Sequence, residues 1–172
     1  MITPFRVVVA DPPWQFRDKL GKRGADAHYQ TMALHRLKRM RLPPIADDAA
    51  LYMWRLSSMI PEAYELVDAW GFKHKTEIVW RKLTTKGRRW FCLGHYIRGE
   101  HETCIVATRG KITPKVRNIR SVFDAEVPLG QHSAKPEELQ NIAARMFDGP
   151  YAELFARRIR PGWSCYGNEV VR

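Results

Sequence analysis

Phe5-Arg6-Val7-Val8-Val9-Ala10-Asp11-Pro12-Pro13-Trp14 is the stretch that decides the fold. It begins with an apolar, valine-rich run, which is typical of a buried parallel strand. The two prolines end that strand, because proline offers no backbone N–H to the sheet and does not enter a helical turn here. Open α/β sheets bind their ligands outside the carboxyl ends of the strands. The sequence therefore predicts that Asp11 and Trp14 lie at a site and not in the core.

Strands and helices alternate along the rest of the chain. Apolar runs indicate strands, and apolar residues spaced three or four apart indicate helices. The predicted strands cover residues 50–54, 76–80, 102–108, 151–156 and 163–166, and the predicted helices cover residues 31–41, 57–70 and a segment that opens at 132–138 and stops at 149–150. This order predicts an α/β fold, a mostly parallel sheet flanked by helices, in a single domain over residues 1–172.

The composition favours one basic domain. The chain has 172 residues, of which 45% are hydrophobic, enough for one full-sized core. Lysine and arginine number 29 against 18 acidic residues, so the net charge is +11. A surplus of this size is typical of a surface that binds phosphate groups, as in nucleic acid. A basic protein that is merely soluble is the alternative.

Several classes of protein are disfavoured by what the sequence lacks. Cys92, Cys104 and Cys165 form no Cys-x-x-Cys pair, so we expect no metal site, no disulfide framework and a reducing cytoplasm. No apolar stretch approaches the roughly 20 residues that span a membrane, and the start lacks a signal-peptide pattern. No Gly-x-Gly turn follows the first strand, which removes the main support for a nicotinamide-binding fold.

Two polar, irregular segments have the composition of substrate-binding loops. Residues 15–29 directly follow the first strand, and residues 82–99 interleave cations with aromatic side chains. Cations that follow a phosphate backbone and aromatics that stack on bases are the usual means of gripping nucleic acid. Plain surface loops, with the aromatics packed against the core, are the alternative. The candidate contacts with nucleic acid are Lys22, Arg23, Lys86, Arg88, Arg89, Tyr96 and Arg98.

The Asp-Pro-Pro-Trp tetrapeptide and further blocks along nearly the whole chain resemble the DPPW-type adenine methyltransferases, the MT-A70 family. Those blocks are Tyr29-Gln30-Thr31-Met32, Trp70-Gly71-Phe72-Lys73, Gly94-His95-Tyr96-Ile97-Arg98, Gly99-Glu100-His101-Glu102, Ser133 to Leu139, Glu153 to Arg157, Arg160 to Trp163 and Gly167-Asn168-Glu169. The resemblance implies a Rossmann-like class I methyltransferase fold in circularly permuted order, with the catalytic strand before the cofactor-binding strand. It also implies S-adenosylmethionine as methyl donor and the exocyclic 6-amino group of adenine as acceptor.

By this resemblance the catalytic residues are Asp11, Pro12, Pro13 and Trp14. The adenine amine is a poor nucleophile, because its lone pair is delocalised into the ring. The Asp11 carboxylate and the Pro12 carbonyl would each accept one amine hydrogen, and Pro13 would keep that carbonyl rigid. Asp11 would orient the amine and stabilise charge, since a carboxylate with a pKa of about 3.9 is too weak to deprotonate it. Trp14 would stack on the adenine.

The resemblance assigns six residues to the cofactor: Asp11, Lys135, Arg157, Asn168, Glu169 and Tyr29. Lys135 would bind the methionine carboxylate, and Asp11 would meet its ammonium group. Arg157 and Asn168 correspond to contacts with the ribose. A plain surface lysine at position 135, and ordinary turn residues at positions 157 and 168, are the alternatives.

DNA is the predicted polymer, because the compact chain resembles the phage and bacterial members of the family. RNA adenine methylation is one alternative, since the family also includes the eukaryotic messenger-RNA methylase. A catalytically inactive relative that only binds nucleic acid is the other, although the tetrapeptide is intact. A cytosine ring-carbon methyltransferase is excluded, because it needs a cysteine nucleophile after proline and no Pro-Cys pair occurs. A homo-oligomer is compatible with the sequence but is not predicted by it.

Overall fold

The fold is built on a central β-sheet with helices on both faces. The computed structural model describes residues 3–15, 31–92, 96–128, 133–168 and 170. Its strands are β1 (Phe5–Ala10), β2 (Ile45–Arg55), β3 (Lys73–Leu83), β4 (His101–Arg109), β5 (Val122–Glu126), β6 (Tyr151–Leu154) and β7 (Trp163–Tyr166), and its helices are α1 (Leu34–Arg39), α2 (Ile60–Ala69) and α3 (Glu138–Met146). This alternation confirms the predicted α/β class. Within these residues no helix is long and apolar enough to cross a membrane.

In the described part of the chain, seven strands form one mostly parallel sheet in the order β5-β3-β4-β2-β1-β6-β7. β1 lies between β2 and β6 and is parallel to both, and the β3–β5 and β6–β7 pairs are also parallel. β4 runs antiparallel to its two neighbours, β2 and β3. The strand that leads to Asp11 thus comes first in the chain and its neighbour β6 only sixth, which agrees with the permuted order.

The first strand is buried because layers cover both faces of the sheet. Val7, Val8 and Val9 are each no more than 2% exposed. Val8 packs in the cluster that includes Leu37 of α1, whereas Val7 and Val9 pack in the cluster that includes Leu139 of α3. A strand covered on both faces has a continuous apolar sequence, so the valine run was a sufficient signal for it.

The carboxyl ends of β1 and β6 lie side by side at one edge of the sheet. β2 continues the sheet on one side of this pair and β7 on the other, so the edge is a topological switch point, where open α/β sheets bind ligands. Because β4 is reversed, its amino end lies beside the carboxyl end of β3. Lys82 near the end of β3 and Glu102 near the start of β4 are therefore brought to the same edge as Asp11.

All three helices are shorter than their predicted bounds, and α2 covers Ile60–Ala69 of the helix predicted over 57–70. α3 begins at Glu138, so Pro136 lies before the helix and not in its first turn. α1 covers only six residues of the helix predicted over 31–41, because Ala33 and Met40 at its two ends have extended backbone. The short helix α1 and residues 40–44 after it line a cavity together with the turn after β1.

The sequence does not predict β5. Val122–Glu126 mixes apolar and acidic residues, and Ala125 alone among them is buried. β5 is the outer strand next to β3. An edge strand needs fewer apolar positions than a central strand, so its hydrophobic pattern is weak.

Candidate active site

Asp11 and Lys135 meet at the switch point although 124 positions separate them in the sequence. The Asp11 backbone N–H donates to the Leu154 carbonyl oxygen of β6 at 3.5 Å. The Lys135 Nζ atom donates to Asp11 Oδ2 at 3.0 Å and to the Ser133 carbonyl oxygen at 3.0 Å. Only 9% of the Lys135 side chain is exposed. The lysine is therefore a buried partner of the candidate catalytic acid and not a plain surface residue.

A second carboxylate shares the same lysine. Lys135 Nζ lies 3.3 Å from Glu102 Oε2, and Lys82 Nζ lies 2.6 Å from Glu102 Oε1. The four side chains form a row of alternating charge, Lys82–Glu102–Lys135–Asp11, which we call the ion-pair chain. Two lysines and two carboxylates balance each other, which lowers the cost of burying them.

Burial and neighbouring charges shift the pKa values of the ion-pair chain in different directions. Burial raises the pKa of Asp11 above its usual value, although Lys135 opposes the shift. Burial alone would lower the pKa of Lys135, but Asp11 and Glu102 outweigh it, so this pKa is raised. Burial alone would raise the pKa of Glu102, but Lys135 and Lys82 outweigh it, so this pKa is lowered. Glu102 and Lys135 thus stabilise each other in the charged form.

Pro12 and Trp14 form a tight turn behind the acid. The Trp14 N–H donates to the Pro12 carbonyl oxygen at 2.8 Å, and this oxygen keeps a second lone pair for another donor. The Met32 N–H donates to the Pro13 carbonyl oxygen at 2.8 Å. Trp14 is 3% exposed, and its Nε1–H donates to the Trp54 carbonyl oxygen at 3.2 Å. The indole therefore belongs to the core and borders the cavity at the same time, whereas the sequence predicts it at the site alone.

A cavity of about 820 Å³ opens in front of Asp11. Its volume lies within the range of about 300–1,000 Å³ that is usual for small-molecule sites. Asp11, Lys135, Arg157 and Asn168 form polar parts of its wall, so the structure brings together four of the six predicted cofactor residues. The apolar walls come from the turn after β1, the α1–β2 connection and the ends of β6 and β7.

Two residues of the cavity wall have a strained backbone. Ser133 and Phe155 have φ angles of 60° and 61°, and no other non-glycine residue of the described ranges has a positive φ. This left-handed conformation is unfavourable for a residue with a side chain, and such strain collects at functional sites. At Ser133 it is associated with a carbonyl oxygen that accepts a hydrogen bond from Lys135.

Gly167 allows two backbones to approach each other at the cavity wall. A Cβ atom at this position would lie 2.0 Å from the Ala156 carbonyl oxygen, so any other residue would force the backbone to move. The Ala156 N–H donates to the Tyr166 carbonyl oxygen at 2.9 Å. This close packing ties the segment after β6 to the end of β7 and holds Asn168 in the cavity wall.

The cavity residues fit the chemistry of S-adenosylmethionine. The amino-acid end of this molecule is a zwitterion, and Asp11 and Lys135 offer one anion and one cation side by side. Its ribose needs hydrogen-bonding partners, which Arg157 and Asn168 provide in the same wall, and its purine needs an apolar surface such as Phe155.

Exposed cations and aromatics cover the hairpin that joins β3 to β4. Tyr96 is 99% exposed, and Phe91 is 59% exposed with the Arg98 guanidinium 5.2 Å from the centre of its ring. These two aromatics are therefore not packed against the core. The predicted nucleic-acid contacts that lie exposed on this hairpin are Lys86, Arg88, Arg89, Tyr96 and Arg98.

Some predicted residues are not placed, and some placed residues were not predicted. Lys22, Arg23, Tyr29 and Glu169 lie outside the described residues. Sequence reasoning missed Lys82, Glu102 and Glu153, of which Glu153 lines a small cavity behind Asp11 and has its pKa raised by burial. The sequence signal that could have identified Glu102 is its position: it is an acidic residue next to the start of a strand whose central residues are apolar. In the ranges that the structure describes, no group of three or more His, Cys, Asp or Glu side chains could hold a metal ion.

Comparison with known proteins relates this site to a group of methyltransferases. The sequence profile of the MT-A70 family matches residues 5–169. The N(6)-adenosine-methyltransferase MT-A70-like protein of Drosophila melanogaster is 30% identical over 172 aligned residues, which cover 96% of this chain and 27% of that protein. The human N(6)-adenosine-methyltransferase catalytic subunit METTL3 is 29% identical, with 96% and 28% covered. The mouse N(6)-adenine-specific methyltransferase METTL4 is 30% identical, with 98% and 38% covered.

The chain thus spans less than two fifths of the length of these relatives. The matched region includes the Asp11 turn, the β3–β4 hairpin, Lys135 and Asn168. A match of this extent shows that the chain belongs to the MT-A70 family, whose relatives named above are methyltransferases of the N6 position of adenosine or adenine.

Proposed function

We propose that this protein transfers a methyl group from S-adenosylmethionine to the 6-amino group of adenine in DNA. The observation that carries the proposal is the Asp11–Lys135 pair, which lines a cavity of about 820 Å³ together with Pro12. Family membership supports the reaction class and the target atom. The positions of Asp11 and Pro12 support the chemistry, because the Asp11 carboxylate and the Pro12 carbonyl are acceptors on consecutive residues directly after β1.

The two acceptors suit an amine that carries two hydrogens. Asp11 would accept one hydrogen and the free lone pair of the Pro12 carbonyl the other, so that the nitrogen lone pair turns out of the ring plane. Positive charge develops on this nitrogen during transfer, and fixed acceptors that strengthen with that charge lower the barrier. The Trp14 N–H already holds the Pro12 oxygen in place at 2.8 Å.

S-adenosylmethionine supplies a methyl group bound to a positively charged sulfur. Lys135 would hold its carboxylate, Asp11 its ammonium group, and Arg157 and Asn168 its ribose. Asp11 can serve the ammonium and the adenine amine together, because a carboxylate has about four acceptor positions. Glu169 and Tyr29 remain further candidates for this site.

The β3–β4 hairpin would bind the nucleic acid. Its cations would contact phosphates, and its exposed Tyr96 and Phe91 would stack on bases. In a duplex the target adenine must leave the stack to reach Asp11, at a cost of a few kcal/mol. The wall formed by Trp14 would offset part of this cost, and Lys22 and Arg23 would add contacts from the first loop.

DNA is proposed on the resemblance to phage and bacterial members of the family. RNA is the second candidate, because two of the eukaryotic relatives are named as adenosine methyltransferases, and adenosine is a ribonucleoside. The two polymers present the same adenine edge, so the distinction depends on contacts to the sugar and backbone.

Transfer of labelled methyl groups from S-adenosylmethionine to DNA and RNA of matched sequence tests both parts of the proposal. We expect stronger labelling of DNA, and a loss of about a hundredfold or more in Asp11→Ala, the usual effect of removing a group that stabilises transition-state charge. Asp124→Ala removes a carboxylate from the surface and serves as the matched control. Equal or stronger labelling of RNA would reverse the choice of polymer. Nucleic-acid binding without any transfer would identify an inactive binding protein.

The role of the hairpin is tested by the salt dependence of DNA binding. We expect Arg88→Ala and Arg89→Ala each to reduce the slope of log affinity against log salt by about 0.9, the contribution of one phosphate contact. Lys73→Ala removes an exposed cation at the opposite end of β3 and should leave the slope unchanged. If all three variants have the slope of the wild type, the nucleic acid does not contact Arg88 or Arg89.

A further inference from the structure

Glu102 is a member of the ion-pair chain to which the proposed function assigns no role. It does not line the cavity of about 820 Å³, yet both of its carboxylate oxygens are engaged, Oε1 by Lys82 at 2.6 Å and Oε2 by Lys135 at 3.3 Å. A carboxylate that lies outside the cavity, is only 21% exposed and has both oxygens in ion pairs acts through its partners. The partner that matters is Lys135, because it also donates to Asp11.

Asp11 is better placed to hold an amine if its carboxylate can turn away from Lys135. In the structure one of its oxygens accepts a hydrogen bond from Lys135 at 3.0 Å. If Asp11 were the only counter-charge that the protein offers this lysine, turning toward an amine would leave a cation with 9% exposure without an anion of the protein, and the cofactor carboxylate alone would have to hold it. A buried charge that loses its partner is strongly unfavourable. Asp11 would then stay bound to the lysine.

We propose that Glu102 is the positioning residue of this site: it keeps the Lys135 ammonium paired, so that Asp11 is free to accept a hydrogen bond from the adenine amine. This inference rests on the proposed function. It assigns Glu102 no contact with the substrate, and its effect passes through Lys135.

Lys82 balances the charge of Glu102 on the other side. Its backbone N–H donates to the Glu100 carbonyl oxygen at 2.9 Å and its own carbonyl accepts from the Trp90 N–H at 3.0 Å, so the residue is fixed in the base of the hairpin. The two lysines also lie over two indoles, Lys82 5.2 Å from the ring centre of Trp80 and Lys135 5.8 Å from that of Trp54. The indoles hold the ammonium groups in position but supply no full negative charge, which Glu102 does.

The first test follows the titration of Lys135 directly, by NMR of the labelled side-chain nitrogen in the protein without cofactor. The charged groups that face this lysine are Asp11 and Glu102, with Arg157 and Glu153 beyond Asp11. We expect the pKa of Lys135 to lie above its usual value in the wild type and to fall in Glu102→Gln. Glu77→Gln is the matched control, because Glu77 is an ion-paired carboxylate on β3 whose partners are Arg55 and Tyr64. It should leave this titration unchanged.

The second test separates kcat from KM for methyl transfer. Glu102→Gln should lower kcat by about a hundredfold, the cost of a misplaced catalytic group, with little change in the KM for nucleic acid. Glu102→Asp keeps the charge and should retain most of the activity and the raised pKa of Lys135. In the double variant Lys82→Met with Glu102→Gln, the remaining charges balance again, so the folding stability should return while kcat stays low.

A wild-type kcat and an unchanged Lys135 titration in Glu102→Gln would overturn the inference. Recovery of kcat in the double variant would also overturn it, because the effect would then be one of charge balance and not of position. If the wild type transfers no methyl group, the proposed function fails, whereas the titration still decides whether Glu102 controls Lys135. If Glu102→Gln does not fold, Glu102→Asp and the double variant carry both measurements.

Discussion

Arg81 and Lys82 are neighbours on β3, and each forms an ion pair, but the two pairs lie in different surroundings. Arg81 reaches Asp124 of β5 with two hydrogen bonds, at 2.7 and 2.5 Å, and both side chains are more than 40% exposed. Lys82 points to the other face and meets Glu102, where the side chains are 13% and 21% exposed. Successive side chains of a strand point to opposite faces, so a shift of one position decides between a surface contact and the candidate active site. The exposed Arg81–Asp124 pair therefore has two hydrogen bonds, although the Lys82–Glu102 pair is the one that belongs to the ion-pair chain.

Lys135→Met should have the largest effect on stability, because it cuts the ion-pair chain at its centre. We expect a loss of about 3 kcal/mol of unfolding free energy, the lower end of the cost of removing one partner from a buried ion pair, since Asp11 opens onto the cavity. Chemical denaturation at neutral pH measures it. The result should depend little on salt, because buried pairs are only weakly screened. If the loss of unfolding free energy disappears at high salt, the ion-pair chain behaves like an exposed ion pair.

A smaller effect is expected from acid. The folded-state pKa of Glu102 is lowered, so its contribution to stability is present above its usual pKa of 4.5 and is lost as the pH falls through the lowered value. Asp11 has the opposite sign, because its raised pKa means that it binds a proton more readily in the folded state. Unfolding free energies of the wild type and Glu102→Gln should therefore converge as the pH falls below 4.5. A constant difference between them down to pH 2 would contradict this linkage.

The smallest effect is expected at the surface pair. Arg81→Ala and Asp124→Ala should each leave the unfolding midpoint close to that of the wild type, because exposed ion pairs gain little over hydration. Any loss should shrink with added salt, and methyl transfer should not change. A loss as large as that of Lys135→Met would remove the distinction between the two faces of β3.

The sequence was most informative where one local signal decides the structure. The bounds of β1 were predicted correctly, because a β-branched run meets two prolines, and the four-residue strand Trp163–Tyr166 was also predicted with its observed bounds. The edge strand β5 gave no such signal. Asp11 and Lys135 were assigned to one site by family resemblance, and in the structure Lys135 Nζ lies 3.0 Å from Asp11 Oδ2.

The rest of the site depends on which strand is reversed, and no local pattern reveals this. The sequence predicted a mostly parallel sheet and did not say which strand is reversed; in a parallel strand over 102–108, an acid at its start would lie at the edge far from Asp11. β4 is antiparallel, so its first residues lie beside the carboxyl ends of the others. Glu102 and Lys82 were missed for this reason. Their partners are fixed by the order of the sheet and not by the residues around them.

Under the proposed function, the reversal of β4 also separates the hairpin that would bind the substrate from the residues that would perform the reaction. Lys82 and Glu102 are anchored in two paired strands, and the hairpin between Leu83 and His101 projects beyond them. Loop length adds little to the closure cost, so the part of this hairpin beyond Trp90 and Glu100, whose backbones hold Lys82, can be exchanged for one of another length. Under the proposed function, this sheet edge would accept hairpins of different sequence, so the sequence preference could be redesigned while the distances around Asp11 stay fixed.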